Sequence, residues 1–91
     1  MHPTLENIQK CLDSENALEA IELSNKMLVS EPNNDQIYYL RGNAYRKLGD
    51  WQHAINNYLQ AIEINPNSPA SGAYQMANDI LNFFNKDMYN Q

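Results

Sequence analysis

Residues 35–68 read DQIYYLRGNAYRKLGDWQHAINNYLQAIEINPNS, and this stretch decides the fold. Moving back by its own length, 34 residues, brings Ala54 onto Ala20, Ile55 onto Ile21, Pro66 onto Pro32 and Asn67 onto Asn33. Punctuation that returns at a fixed spacing of this size marks a stack of repeated units, because a single unit cannot bury its apolar face alone. Within the stretch, Ala54, Ile55, Tyr58, Ala61 and Ile62 share one face at helical spacing. Gly49 stands where a helix ends in a left-handed residue, Asp50 is suited to cap the helix that follows, and Pro66 stops that helix. The unit is therefore two helices joined by a tight turn.

Outward from this unit the chain reads as five helices, an all-α fold. The first is expected from about Thr4 to Asp13, with Leu5, Ile8 and Leu12 on one face and Pro3 tolerated in its first turn. The second runs from about Ala17 to Ser30. Asn16 followed by Glu19 has the form of a capping box, and Pro32 ends the helix. The third runs from about Asp35 to Leu48, and the fourth from Asp50 toward Pro66. The Ser68–Pro69 pair is a start signal for a fifth helix, reaching about Asn85 or beyond, with the tail KDMYNQ expected to fray. Connections of a few residues make successive helices antiparallel. One domain is expected over residues 1–91: a first unit at 1–34, a second at 35–68, and a closing helix with its tail at 69–91.

Composition narrows the function classes. The 91 residues carry a net charge of −5, which argues against nucleic acid as a partner, since that needs a basic footprint. The same charge disfavours anionic membrane surfaces, and no apolar run approaches the ~18 residues of a membrane span. The start, MHPTLENIQKC, has neither a basic lead nor an apolar centre, so a signal peptide is not expected. Cys11 is the one cysteine and has no disulfide partner in the chain. A cytoplasmic location is the expectation that follows. Acidic residues crowd the first unit while Arg41, Arg46 and Lys47 sit together in the second; the plain reading is a solvated acidic surface, and the sharper alternative is a basic patch for an acidic or C-terminal peptide.

The second unit resembles the tetratricopeptide repeat family. Tyr38, Gly42, Tyr45, Ala54, Tyr58, Ala61 and Pro66 fall at that family's signature places. Gly42 and Ala54 are small where paired helices cross closely, and Tyr45 and Tyr58 fill the space between them. Arg41 departs from the family, which usually has leucine there. The first unit matches less well. It keeps Ala20, Met27 and Pro32, but has Ile8 in place of the small residue and Cys11 and Ser24 in place of aromatics. Terminal repeats are commonly atypical because one side faces solvent. The ending ILNFFNKDMYNQ is similar to the tails of small bacterial proteins of this family. The resemblance implies a right-handed superhelix of antiparallel helix pairs: two repeats and a C-terminal capping helix. The first helix of each pair would line a concave groove that binds an extended peptide or a helix of a partner protein.

On that implication the groove is lined by Leu5, Gln9 and Leu12 of the first helix and by Gln36, Tyr39, Asn43 and Arg46 of the third. Ala70, Ala73, Ala77 and Ile80 of the fifth complete it. It would be apolar at its ends and polar to basic in its middle. Asn43 is the leading contact, because an amide offers a peptide backbone one donor group and one acceptor. Arg46 suits a carboxylate, and Tyr39 an apolar side chain. Relatives that clamp the C-terminal carboxylate of chaperones use lysine, asparagine and arginine on this stripe. Here the corresponding places hold Leu5, Gln9, Leu40, Asn43, Ala70 and Tyr74, so no strong clamp of that type is expected. Tyr74, Met76 and Phe83 point elsewhere on the fifth helix; because a capping helix is normally polar on its outer side, they mark either a second interface or a bulky helix that wraps over a thin core.

Catalysis is not expected. His2 and His53 lack partners at metal-ligand spacing, the three glycines form no phosphate loop, and Cys11 replaces a packing aromatic. No cofactor or metal is implied. Two non-catalytic readings stand. One is a scaffold-like protein-interaction module using the groove. The other is a structural module that weakly self-associates, as a homodimer or by exchange of its C-terminal helix, since about three repeats are wanted for stable stacking.

Overall fold

A computed structural model describes residues 2–84 as five helices in chain order: α1 Leu5–Asp13, α2 Ala17–Ser30, α3 Asp35–Lys47, α4 Trp51–Ile64 and α5 Ala70–Phe84. Among the described residues there is no strand, and no helix is long and apolar enough to cross a membrane. Asn85, Met88 and the tail 86–91 lie outside the described residues, as does the side chain of Phe84. Each helix packs on the next, and α1 also touches α3, so first helices of successive pairs lie side by side.

The caps explain the boundaries. Thr4, rather than opening α1 from within, sits ahead of it: its Oγ accepts from the Asn7 N–H at 3.2 Å, and the Asn7 side chain accepts from the Thr4 N–H at 2.9 Å. Pro3 thereby falls outside the helix. Asn16 caps α2 by accepting from the Glu19 N–H, but the return arm differs from a full box. The Glu19 carboxylate accepts from the Asn16 amide group at 2.8 Å and not from its backbone. Asn34 caps α3 and Asp50 caps α4. Ser68 Oγ accepts from the Ala70 N–H at 3.0 Å, so α5 begins just after Pro69.

The two units end their first helix in the same way. The Asp50 N–H donates to the Tyr45 carbonyl at 2.9 Å, and the Asn16 N–H donates to the Cys11 carbonyl at 2.8 Å, a six-residue closure with a left-handed residue inside it. In the second unit that residue is Gly49, φ 78°; in the first it is Glu15, φ 60°. The repeat period foretells this, since Glu15 lies one period before Gly49. A side chain strains that conformation. Glu15 gains little in exchange, because its 3.7 Å pair with Lys47 is exposed. Glu15→Gly is therefore expected to stabilise by about 0.5–1 kcal/mol, and Gly49→Ala to cost about 1 kcal/mol. Urea midpoints at unchanged slope check both.

The core has two parts. Ile8, Leu12, Ala17, Ala20, Met27, Ile37, Leu40 and Ala44 form one across α1, α2 and α3. Ala54, Ile55, Tyr58, Ala61, Ala70 and Ala77 form the other between α4 and α5, and Tyr39 packs against both. The mismatches of the first unit resolve as an exchange of sizes. In the second unit small Gly42 on α3 makes room for large Tyr58 on α4, both buried. One period earlier, large Ile8 on α1 is matched with small Ser24 on α2, each 0 % exposed. Total volume is kept while the large side chain changes helix, which a close-packed interior tolerates. The buried Ser24 hydroxyl donates to the Ala20 carbonyl at 2.7 Å.

Candidate functional site

Side by side, the N-terminal halves of α1 and α3 and the turn entering α5 enclose an open cleft of ≈ 500 Å³. Its lining is Leu5, Glu6 and Gln9 from α1, Asp35, Gln36, Tyr39 and Leu40 from α3, and Asn65, Ser68 and Pro69 from the turn. The helical period explains the choice. Leu5 and Gln9, and likewise Gln36, Tyr39 and Leu40, recur every three or four residues and share one face of their helix. The floor is apolar because Leu40 belongs to the core and Leu5 and Tyr39 pack against it. The rim carries amides and two carboxylates. Asn65 Nδ2 donates to Asp35 Oδ2 at 3.2 Å, tying the turn to the start of α3. Gln9 Nε2 donates to Asp13 Oδ1 at 3.0 Å along the edge.

Of the residues expected in the groove, the cleft gathers Leu5, Gln9, Gln36 and Tyr39. Leu12 and Ala77 are core residues instead, 2 % and 0 % exposed, because neighbouring helices sit close over them. Ala73 is half-buried against the second core cluster. Asn43 and Arg46 lie farther along α3 and do not line the cleft. The Asn43 side-chain Oδ1 already accepts from the buried Tyr58 hydroxyl at 2.6 Å. Burial pushes the Tyr58 phenol up to about 12, with the Arg46 guanidinium beside it pulling the other way. The Asn43 side chain is thus tied to the α3–α4 packing, and Arg46 lies beside the same phenol with its Nε buried and without a hydrogen-bond partner among the described residues.

The basic patch also dissolves. Each residue turns the helix by ~100°, so Arg46 and Lys47 stand far around α3 from Arg41. Arg41 Nε donates to Asn57 Oδ1 at 2.7 Å and its Nη1 to Asn25 Oδ1 at 2.8 Å, while Lys47 faces Glu15. The groove expected to be basic in its middle is acidic where it is open, through Glu6 and Asp35. Sequence reasoning missed these two, and also Asn65, Ser68 and Pro69. The signal available for them was proximity in the chain to helix starts, where first-turn acids favour the macrodipole.

The His53 ring stacks on Tyr45 at 5.0 Å and its Nδ1 meets Asp50 Oδ2 at 2.8 Å, and hydrogen bonds from His53 lower the Asp50 carboxyl below its usual value. Cys11 is half-buried, and burial with the neighbouring Glu19 pushes its thiol up, away from the nucleophilic thiolate. Among the described residues no group of His, Cys, Asp and Glu is arranged to hold a metal ion. On α5, Met76 and Phe83 are exposed, whereas Tyr74 packs against the second core cluster.

A stack of antiparallel helix pairs whose first helices line an open cleft is a repeat protein that presents a surface. The sequence pattern of the tetratricopeptide repeat matches residues 36–68. The solution NMR structure of Bacteroides fragilis protein BF1650 is similar at a TM-score of 0.88 and 53 % sequence identity, over 97 % of this chain and 90 % of that one. No curated protein sequence matches. The chain belongs to the tetratricopeptide repeat family, whose domains generally bind protein partners and are generally non-catalytic.

Proposed function

We propose that this chain is a non-catalytic interaction module of the cytoplasm that holds a peptide or helix of another protein in the cleft between α1, α3 and the turn entering α5. The observation that carries the reading is the cleft itself: ≈ 500 Å³, with Leu5, Tyr39 and Leu40 at its base and the Gln9, Gln36 and Asn65 amides around them. Apolar side chains supply affinity, and a few polar groups fix orientation. Gln9 and Gln36 are exposed, so enlarging them fills the cleft without entering the core. Tyr39→Ala would be a poor test, because Tyr39 supports both core clusters.

The test is capture from native lysate with wild type beside a Gln9→Tyr, Gln36→Tyr double variant whose melting curve matches. A captured protein lost by the plugged variant supports the cleft. A protein captured equally by both places binding elsewhere. The second reading, self-association, is favoured by exposed Met76 and Phe83 on α5, with Met76 at 51 % and Phe83 at 74 %. Sedimentation equilibrium across concentration separates the two: a mass of one chain throughout removes self-association.

A further inference from the structure

We infer that the cleft selects a cationic apolar segment: a partner stretch with a large apolar side chain flanked by lysine or arginine. This deepens the cleft reading and rests on it. Three observations carry it. Among the described residues, the charged ones lining the cleft are Glu6 and Asp35, and Asp13 adds a third carboxylate along its edge through Gln9. At each helix start around the cleft one backbone N–H that would welcome an anion is already given to a cap: Thr4 accepts from Asn7, Asn34 from Gln36 and Ser68 from Ala70. The cations of α3 that would attract an anion lie elsewhere, with Arg41 held by Asn25 and Asn57, Lys47 facing Glu15, and Arg46 beside Tyr58, and Lys10 at the cleft's edge is matched by Glu6.

Glu6 is 78 % exposed and its pair with Lys10 spans 3.7 Å between two exposed side chains, so a ligand cation displaces that lysine at little cost. Asp35 accepts one hydrogen bond, from Asn65, and a carboxylate has room for more. An acidic rim over an apolar floor is complementary to a segment of the opposite pattern. Acidic segments meet like charge there, which disfavours them.

The test uses three short dye-labelled peptides blocked at both ends: phenylalanine flanked by lysines, phenylalanine flanked by glutamates, and serine flanked by lysines. Fluorescence anisotropy reads affinity, and backbone amide shifts of Gln9, Gln36 and Tyr39 read location. The phenylalanine–lysine peptide is expected to bind roughly fivefold to tenfold tighter than the glutamate peptide at low salt, with the gap closing at high salt. The Glu6→Gln, Asp35→Asn variant keeps the shape and is expected to level the two. The serine peptide is expected to bind weakest. A glutamate peptide that binds as tightly and is lost by the Gln9→Tyr, Gln36→Tyr plug overturns the charge preference and leaves the cleft standing. Lysine peptides that bind regardless of phenylalanine, or shift amides away from the cleft, overturn the proposal. Absence of binding by all three overturns it as well, while the lysate capture still decides the cleft without presuming charge.

Discussion

Gly42→Ala is expected to lower the thermal midpoint by roughly 5–15 °C, although glycine to alanine inside a helix ordinarily stabilises by about 1 kcal/mol. A Cβ at residue 42 would stand 2.6 Å from Tyr58 Cε1 and 2.7 Å from its Cδ1, well inside contact distance. The ring has nowhere to go. Tyr58 is 0 % exposed, and its hydroxyl is fixed to Asn43 at 2.6 Å. With its phenol pushed up to about 12, it stays a neutral donor throughout the ordinary pH range. At this separation from a ring that is buried and tethered, overpacking falls at about 2–3 kcal/mol, the upper part of its usual range, and outweighs the gain in helix propensity. Circular dichroism melts check the sign, and a variant melting at or above wild type removes the argument. The exchange of sizes supplies a sharper test. Tyr58→Ser alone opens a cavity worth about 3–5 kcal/mol. Combining it with Gly42→Ile copies the Ser24 and Ile8 of the first unit and is expected to recover at least about 1 kcal/mol of that loss.

This pair also shows how far the sequence could be read. Gly42 is legible as a close approach because glycine inside a helical pattern lacks another purpose. It was read with Ala54 as small where the paired helices cross, with Tyr45 and Tyr58 filling the space; the structure adds that Tyr58 is the ring a Cβ at 42 would meet, since spacing gives direction around a helix but not the reach of the facing side chain. The helix boundaries were legible for a local reason. Asn16, Gly49, Asp50, Pro32, Pro66 and Ser68 each act on backbone within a few residues, so no tertiary knowledge is needed. The site was less so. Leu5, Gln9, Gln36 and Tyr39 follow from the helical period, but Leu12 and Ala77 lie on the same stripes and are buried. How deeply a stripe sinks depends on where the next helix sits. The sign of the cleft's charge was misread for a related reason. Arg46 was counted by its angle on α3, while the opening lies toward the other end of that helix, where Asp35 and Glu6 stand.

Arg41→Leu is expected to cost about 2–3 kcal/mol and on the order of 10–15 °C, even though leucine is the residue that the family resemblance leads one to expect there. Arg41 works as a fork between units. Its Nε donates to Asn57 on α4 at 2.7 Å, its Nη1 donates to Asn25 on α2 at 2.8 Å, and its guanidinium lies 5.4 Å from the centre of the Tyr38 ring. Asn57 is 5 % exposed, and its Nδ2 is already given to the His53 carbonyl at 2.8 Å. Removing the guanidinium leaves the Asn57 oxygen buried without a donor, and that orphaned group dominates the loss. Arg41→Lys keeps the charge but cannot donate from one rigid plane in two directions, so it recovers less than half. Arg41→Leu with Asn57→Leu removes both partners and is expected to return close to wild type. The fork also bears on cooperativity. In a short stack, stability resides largely in the interfaces between units, and Asn25 belongs to the first unit while Asn57 belongs to the second. Cutting the fork is therefore expected to let α1 and α2 open without α3 and α4. Hydrogen exchange would then show amides of α1 and α2 losing protection first in Arg41→Leu, where wild type loses both pairs together. Equal acceleration across all four helices would mean that Arg41 adds stability without coupling the units.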